Sequence, residues 1–291
     1  MKNLNKIILI LILFNTSNLI ASKYDSLFIS NTRTYILKTL NFTPKDPLYQ
    51  HWASSNNPYL YLYVSKKNKV ETPDSAYKTF IFIGFDTVAA NLKTSKIQDQ
   101  GFDVFIYKTF ANSNTELSDS LLNFSPEAIS FIMFHEIMHH YKRANFPNLP
   151  YKYEEAAGDI LGNYGTLYYA NTNQNLSIEK ARLQLTTNEE IYRIMNESID
   201  NINGGLFNIS DVQNQCYHKI QTELRRCNSF QIYRFNYPVN NAFLLKNMRY
   251  SKEYFILKDV FLKAGSIPKF IEILKELAAA SDKEKFLQGL K

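Results

Sequence analysis

Two histidines four residues apart, with a glutamate directly after the first, stand near the middle of the chain as His135-Glu136-Ile137-Met138-His139. On a helix, residues at that spacing share a face, so both imidazoles can point at one ion. Glu136 is rotated one position on, toward a water held by that ion. Zinc lowers the pKa of such a water, and a nearby carboxylate can take its proton. A catalytic zinc needs a third protein ligand, and Tyr153-Glu154-Glu155-Ala156-Ala157-Gly158-Asp159 offers one. Glu155 and Asp159 are again four apart. Glu155 can bind the metal while Asp159 accepts a hydrogen bond from a ligand histidine and fixes its ring. Glu154 and Glu155 point about a hundred degrees apart, so only one can face the metal, and the Asp159 partnership favours Glu155. Zn2+ is thus the expected cofactor, on His135, His139 and Glu155.

These residues need two helices to hold them. Ser125 can cap the first, Pro126 suits its first position, and Glu127 suits its positive end; it should run to about Arg143. Two prolines between Asn145 and Pro150 force a loop. A second helix should then run from near Lys152 to about Ala170, with Gly158 and Gly162 small enough to let it approach the first closely. Ile129, Ile132, Met133 and Ile137 read as core. Ahead of this pair, a helix over Leu27 to Leu40 and a Pro- and Asn-rich loop from Thr43 to Pro58 precede three strands, at Tyr59–Val64, Thr79–Phe85 and Phe102–Phe110. Ala111 to Ser120 reads as an exposed loop. Behind the pair, helices are expected at Ile178–Leu185, Asn188–Ile199, Ser210–Arg226, Lys252–Ala264, Pro268–Ala280 and Lys283–Leu290. Breaks fall at Gly204-Gly205 and Tyr237-Pro238. The fold class is α+β: a small N-terminal sheet, two central helices and a helical C-terminal half from about residue 171.

The stretches FIMFHEIMHHYKR and YEEAAGDILGNYG together resemble the gluzincin metallopeptidases, in which HExxH is followed by ExxxD on a second helix. The second stretch looks like the glutamate helix of the CAAX-protease and heat-shock-protease branch, of its soluble bacterial relatives, or of the compact minigluzincins. The resemblance covers roughly Ser125 to Ala170. It implies a zincin-like fold, a zinc metallopeptidase acting on peptide or protein substrates (an endopeptidase before an exopeptidase), ligands His135, His139 and Glu155, Glu136 as base and Asp159 as orienting group. Peptidases of this kind often steady the oxyanion with a further His or Tyr late in the chain, and His218 lies in the right region, with twenty tyrosines competing. A substrate-binding edge strand is also implied, and Phe102–Phe110 is the closest candidate. The integral-membrane helices of the CAAX-protease branch are missing.

Charge and composition narrow the alternatives. The formal charge of +6 is spread along 291 residues without a dense basic block, so nucleic acid is not an expected partner. Lys2 and Lys6, the apolar run Ile7–Phe14 and Ala21 read as a signal peptide over residues 1–21, leaving a mature chain 22–291 exported to the periplasm or beyond. Membrane association is expected only if that segment stays uncleaved. Cys216 and Cys227 are the two cysteines of the chain, and an oxidising compartment would permit a disulfide between them. His140 reads as a surface or second-layer residue and His51 as structural. The rival readings are an exported metal-binding protein without turnover and a helical interaction protein in which HExxH arose by chance.

Overall fold

The computed structural model describes residues 27–45, 48–49, 51–53, 59–71, 80–109, 116–118, 124–205, 207–227 and 229–290. The signal-peptide segment lies outside them. Ser125 does start the central helix: its hydroxyl accepts from Ala128 N at 3.3 Å, Pro126 opens α3 (Pro126–Asn145), and Lys142 and Arg143 sit in its last turn. Most of α3 is buried, His135 and His139 included, as expected for a helix wrapped on most sides. One wrapping element is α1 (residues 27–39), whose Tyr35 meets Phe134 edge-on at 6.3 Å.

The second central helix is α4 (Tyr151–Ile160), followed without a break by a π turn at Leu161–Gly165 and by α5 (Thr166–Ala170). It packs along α3. The close approach uses the expected glycines. A Cβ on Gly158 would stand 2.9 Å from His135 Nδ1, and one on Gly162 would stand 2.7 Å from the Phe131 ring. Both are too near for any side chain.

The sheet is small. Strands β2 (Tyr59–Lys66), β3 (Phe80–Gly84) and β4 (Phe102–Thr109) pair antiparallel in the order β3-β2-β4. Alternation along the strands divides its faces. Leu60, Leu62, Val64 and Val104 turn to Ala90 and Ile97 of α2 (Thr87–Gln98), forming a minor apolar cluster. Tyr63 and Phe105 turn the other way, into the main core.

Several elements differ from the sequence expectation. A two-stranded parallel pair, β1 (His51–Ala53) with β5 (Glu116–Ser118), falls in stretches read as loops. Helix α2 was not expected because it buries only Ala90 and Ile97 and carries almost no apolar period. The helices read at Ile178–Leu185 and Asn188–Ile199 are one helix, α6 (Ile178–Gly204), closed by Gly205 at φ +69°. Thr187 and Asn188 do not break it because both are buried, and Asn188 donates to Asn163 Oδ1 at 3.0 Å. The rest is helical: α7 (Ile209–Leu224), α8 (Ser229–Phe235), α9 (Asn241–Ser251), α10 (Tyr254–Ala264), α11 (Ile267–Ala279) and α12 (Lys283–Gly289). No helix of the described residues is long and apolar enough to cross a membrane.

Helices α8 and α9 had no sequence forecast, and α9 matters most. It wedges between the sheet, α4 and α6. Asn241 fixes its start, donating from its side chain to Lys66 O and Lys67 O and from its backbone to Asp103 Oδ2.

Lys246, in the middle of α9, is 1 % exposed. Its Nζ lies over the rings of Tyr107 (4.1 Å) and Tyr250 (4.8 Å) and 3.3 Å from Asn247 Oδ1. Burial, reinforced by Arg234, brings its pKa down to about 7. In the unfolded chain it titrates near 10.4. The cost of burying the charge is therefore fully present below pH 7 and is relieved as pH rises from 7 toward 10. A Lys246→Met variant should be more stable than wild type by about 2–4 kcal/mol at pH 6.5. Urea unfolding at pH 6.5, 8 and 9.5 should show that difference shrinking steadily.

Candidate metal centre

The i, i+4 spacing on α3 sets the two imidazoles side by side, with His135 Nε2 and His139 Nε2 3.1 Å apart. From α4, Glu155 Oε2 comes within 3.5 Å of the first and 3.9 Å of the second. All three residues are buried, and the three donor atoms together could hold a metal ion. The outer nitrogen of each ring faces a carboxylate. His135 Nδ1 lies 2.8 Å from Asp159 Oδ1, and His139 Nδ1 lies 2.7 Å from Glu154 Oε1. With the ring protons drawn to these carboxylates, both Nε2 atoms carry lone pairs inward. Glu155 Oε2 meets them buried and with no hydrogen-bond partner. Three potential ligand atoms thus converge on one point, an arrangement that could hold a cation.

The carboxylates around the point follow one scheme, in which each spends one oxygen on a cation and turns the other to the centre. Glu154 Oε2 pairs with Lys142 at 3.0 Å, Glu155 Oε1 with Arg249 at 3.0 Å, and Asp159 Oδ2 with Arg234 at 2.7 Å. Asp159 Oδ2 also accepts from the Tyr192 hydroxyl. Burial would raise the pKa of Asp159, but Arg234, His135 and Tyr192 together hold it well below the usual carboxylate range. Glu154 is lowered against its burial by His139 and Lys142. Burial depresses His135, yet the carboxylates of Asp159 and Glu155 beside it push it up to about 10.

Of the two neighbouring glutamates, Glu155 lies on the inner side of the histidines. Glu154 is not idle, however, because it meets the outer nitrogen of His139. Glu136 lines the same cleft, a space of about 240 Å³ open to solvent between the helices and the sheet. His140, next on α3, stands edge-on to Tyr49 at 6.4 Å and outside that cleft.

Two sequence expectations need correction. His218 is exposed on α7 and does not line the cleft, because that helix turns Val212, Cys216, Ile220 and Leu224 inward and His218 away. Cys216 and Cys227 are free thiols. About 12 Å of helix separates Cys216 from Leu224, well beyond disulfide reach, and Cys227 follows in the turn past the helix end. Cys227 Sγ rests on Leu224 O at 3.1 Å instead, and burial pushes both thiols up to about 11.

In the cleft, Arg249 and Tyr250 of α9 take positions the sequence did not reveal. The Tyr250 ring lies 6.0 Å from that of His135, and burial, with the charge of Glu155, raises its hydroxyl pKa so that it remains a donor. Arg249 also bonds the Tyr63 hydroxyl and lies 4.2 Å from the Tyr151 ring. An Arg-Tyr dipeptide on an unforecast helix carried no local signal.

No family model, curated protein or solved structure matches this chain.

The geometry separates the two glutamates. If the cluster takes a divalent metal, its affinity, measured by chelator competition, should fall by a factor of about 10–100 in Glu154→Gln, where the outer partner of His139 loses its charge. In Glu155→Ala, stoichiometric metal should be lost altogether. Equal losses would show that the two carboxylates do not hold distinct places.

Proposed function

We propose that this chain is a zinc-dependent peptidase with a zincin-like core. The observation that carries the reading is the convergence of His135 Nε2, His139 Nε2 and Glu155 Oε2, with gaps of 3.1, 3.5 and 3.9 Å. Ligand atoms about 2.0–2.2 Å from a tetrahedral zinc lie about 3.4 Å apart, so these residues fit the ion. Two imidazoles and a carboxylate are also a donor set that zinc accepts with a coordination position to spare. His135, His139 and Glu155 would hold the metal, and Asp159 and Glu154 would fix the two rings from behind.

A bound zinc would supply Lewis acidity, making water a nucleophile at neutral pH and polarising a scissile carbonyl. Glu136, on the cleft-facing side of α3, takes the proton from the attacking water and returns it to the leaving amine. Tyr250 and Arg249, on the opposite wall, supply donors toward the oxygen on which charge develops, the role first sought at His218. Arg249 also holds the outer oxygen of Glu155, which keeps the inner one aimed at the metal position.

The substrate is a peptide or protein segment entering the cleft between α3 and the sheet. The signal peptide read over residues 1–21 supports an exported enzyme, periplasmic or secreted.

Elemental analysis of purified protein should give about one zinc per chain, removed by His139→Ala. A Glu136→Gln variant should keep the zinc and lose at least about 10²-fold in peptide cleavage. Zinc binding with no turnover of any peptide by the wild type would leave a metal-binding protein, and preserved turnover in Glu136→Gln would remove that residue from the mechanism.

A further inference from the structure

The cleft continues into a strip of aromatic side chains on one face of the sheet. Tyr59, Tyr61 and Tyr63 alternate along β2, and across from them Phe82 pairs with Tyr61 and Phe80 with Tyr63. The rings touch in series: Tyr61 stacks on Phe80 at 4.8 Å, Tyr61 meets Phe82 at 5.2 Å, and Tyr59 meets Phe85 at 4.7 Å. The inner end belongs to the cleft, which Tyr61, Tyr63 and Phe80 line. The outer end stands in solvent, with Phe80, Phe82 and Phe85 42 %, 56 % and 49 % exposed.

Fold stability does not explain that exposure. The sheet already has a covered apolar face, with Leu60, Leu62 and Val64 packed on α2. Aromatic rings left in water beside a cleft, in mutual contact, form the kind of contiguous patch that marks a binding surface. Their π faces favour aromatic and apolar partners.

We infer that the strip seats apolar or aromatic side chains of the polypeptide whose scissile bond lies in the cleft, and so sets the substrate class as apolar-rich, unfolded segments. This rests on the peptidase reading above. The occupant follows from continuity: a chain leaving the cleft along β2 crosses Tyr61 and Phe80 before it reaches Phe82, Tyr59 and Phe85. From Tyr63 to Tyr59 the strand covers about 13 Å, the length of about four extended residues, whose side chains alternate in direction. Two substrate side chains therefore meet the strip, at positions two apart and on one side of the scissile bond.

The test uses the full chain loaded with zinc and two labelled decapeptides. One carries Phe at two alternate positions and the other carries Ser there, each series placing the pair on either side of the central bond. Binding is measured by fluorescence anisotropy in the Glu136→Gln background, and cleavage in the wild type. The Phe peptide should bind about tenfold more tightly than the Ser peptide for one of the two placements. A Phe82→Ser substitution, at a position exposed enough to leave zinc content unchanged, should shrink that ratio to about two or less. Equal binding of the two peptides, with both cleaved by the wild type, would overturn the strip while leaving the peptidase intact. Cleavage of neither, with no zinc retained, would mean that the peptidase reading had failed first. Binding to phosphatidylcholine–phosphatidylglycerol vesicles that Phe82→Ser abolishes, with no preference between the peptides, would overturn the inference in favour of a membrane-facing surface.

Discussion

Two imidazole nitrogens 3.1 Å apart and a buried carboxylate oxygen meet between α3 and α4, and the surrounding structure is arranged around that cluster. Polar atoms this close, at the floor of a cleft, need a shared proton, a water or a cation among them.

What keeps the cluster from falling apart is a second layer in near-perfect charge balance. Glu154, Glu155 and Asp159 are answered by Lys142, Arg249 and Arg234, one cation to each carboxylate. That balance assigns every carboxylate oxygen a direction. It also recruits distant chain: Arg234 comes from α8 and Arg249 from α9. Without them the acids would carry unpaired charge in the core, a cost of several kcal/mol each. The helical C-terminal half is thus part of the centre and not only a cover for it.

This explains what was legible in the sequence. The start of α3, the shared face of His135 and His139, the position of Glu155 and Asp159 and the need for small residues at Gly158 and Gly162 all follow from helix periodicity within about forty residues. The role of Glu154 did not, because spacing alone shows that Glu154 and Glu155 diverge but not that His139 has an outer nitrogen waiting for the one turned away. Arg234, Arg249 and Tyr250 were hidden for a different reason. Their partners lie 75 to 186 positions earlier in the chain, and the two helices that carry them have weak or interrupted apolar patterns. His218 failed as a candidate because its place on α7 is set by a buried stripe two residues out of phase with it. The division of the early strands was partly visible in their alternation, but which face would be covered depended on α2, a helix with almost no apolar signature.

The sheet and the centre are mechanically one unit, and Tyr63 is where they join. Its hydroxyl bonds Arg249, which holds the outer oxygen of Glu155, while its ring is buried at the inner end of the aromatic strip. Arg249 further lies near the rings of Phe80 and Tyr151, so its guanidinium is shared between the carboxylate it orients and the walls of the cleft. The aromatic strip and the carboxylate of Glu155 are thereby linked through two contacts, with no moving domain required. Such short linkage favours a rigid cleft, in which the buried ring of Tyr63 and the partly buried ring of Tyr250 supply stiffness and the balanced second layer supplies direction.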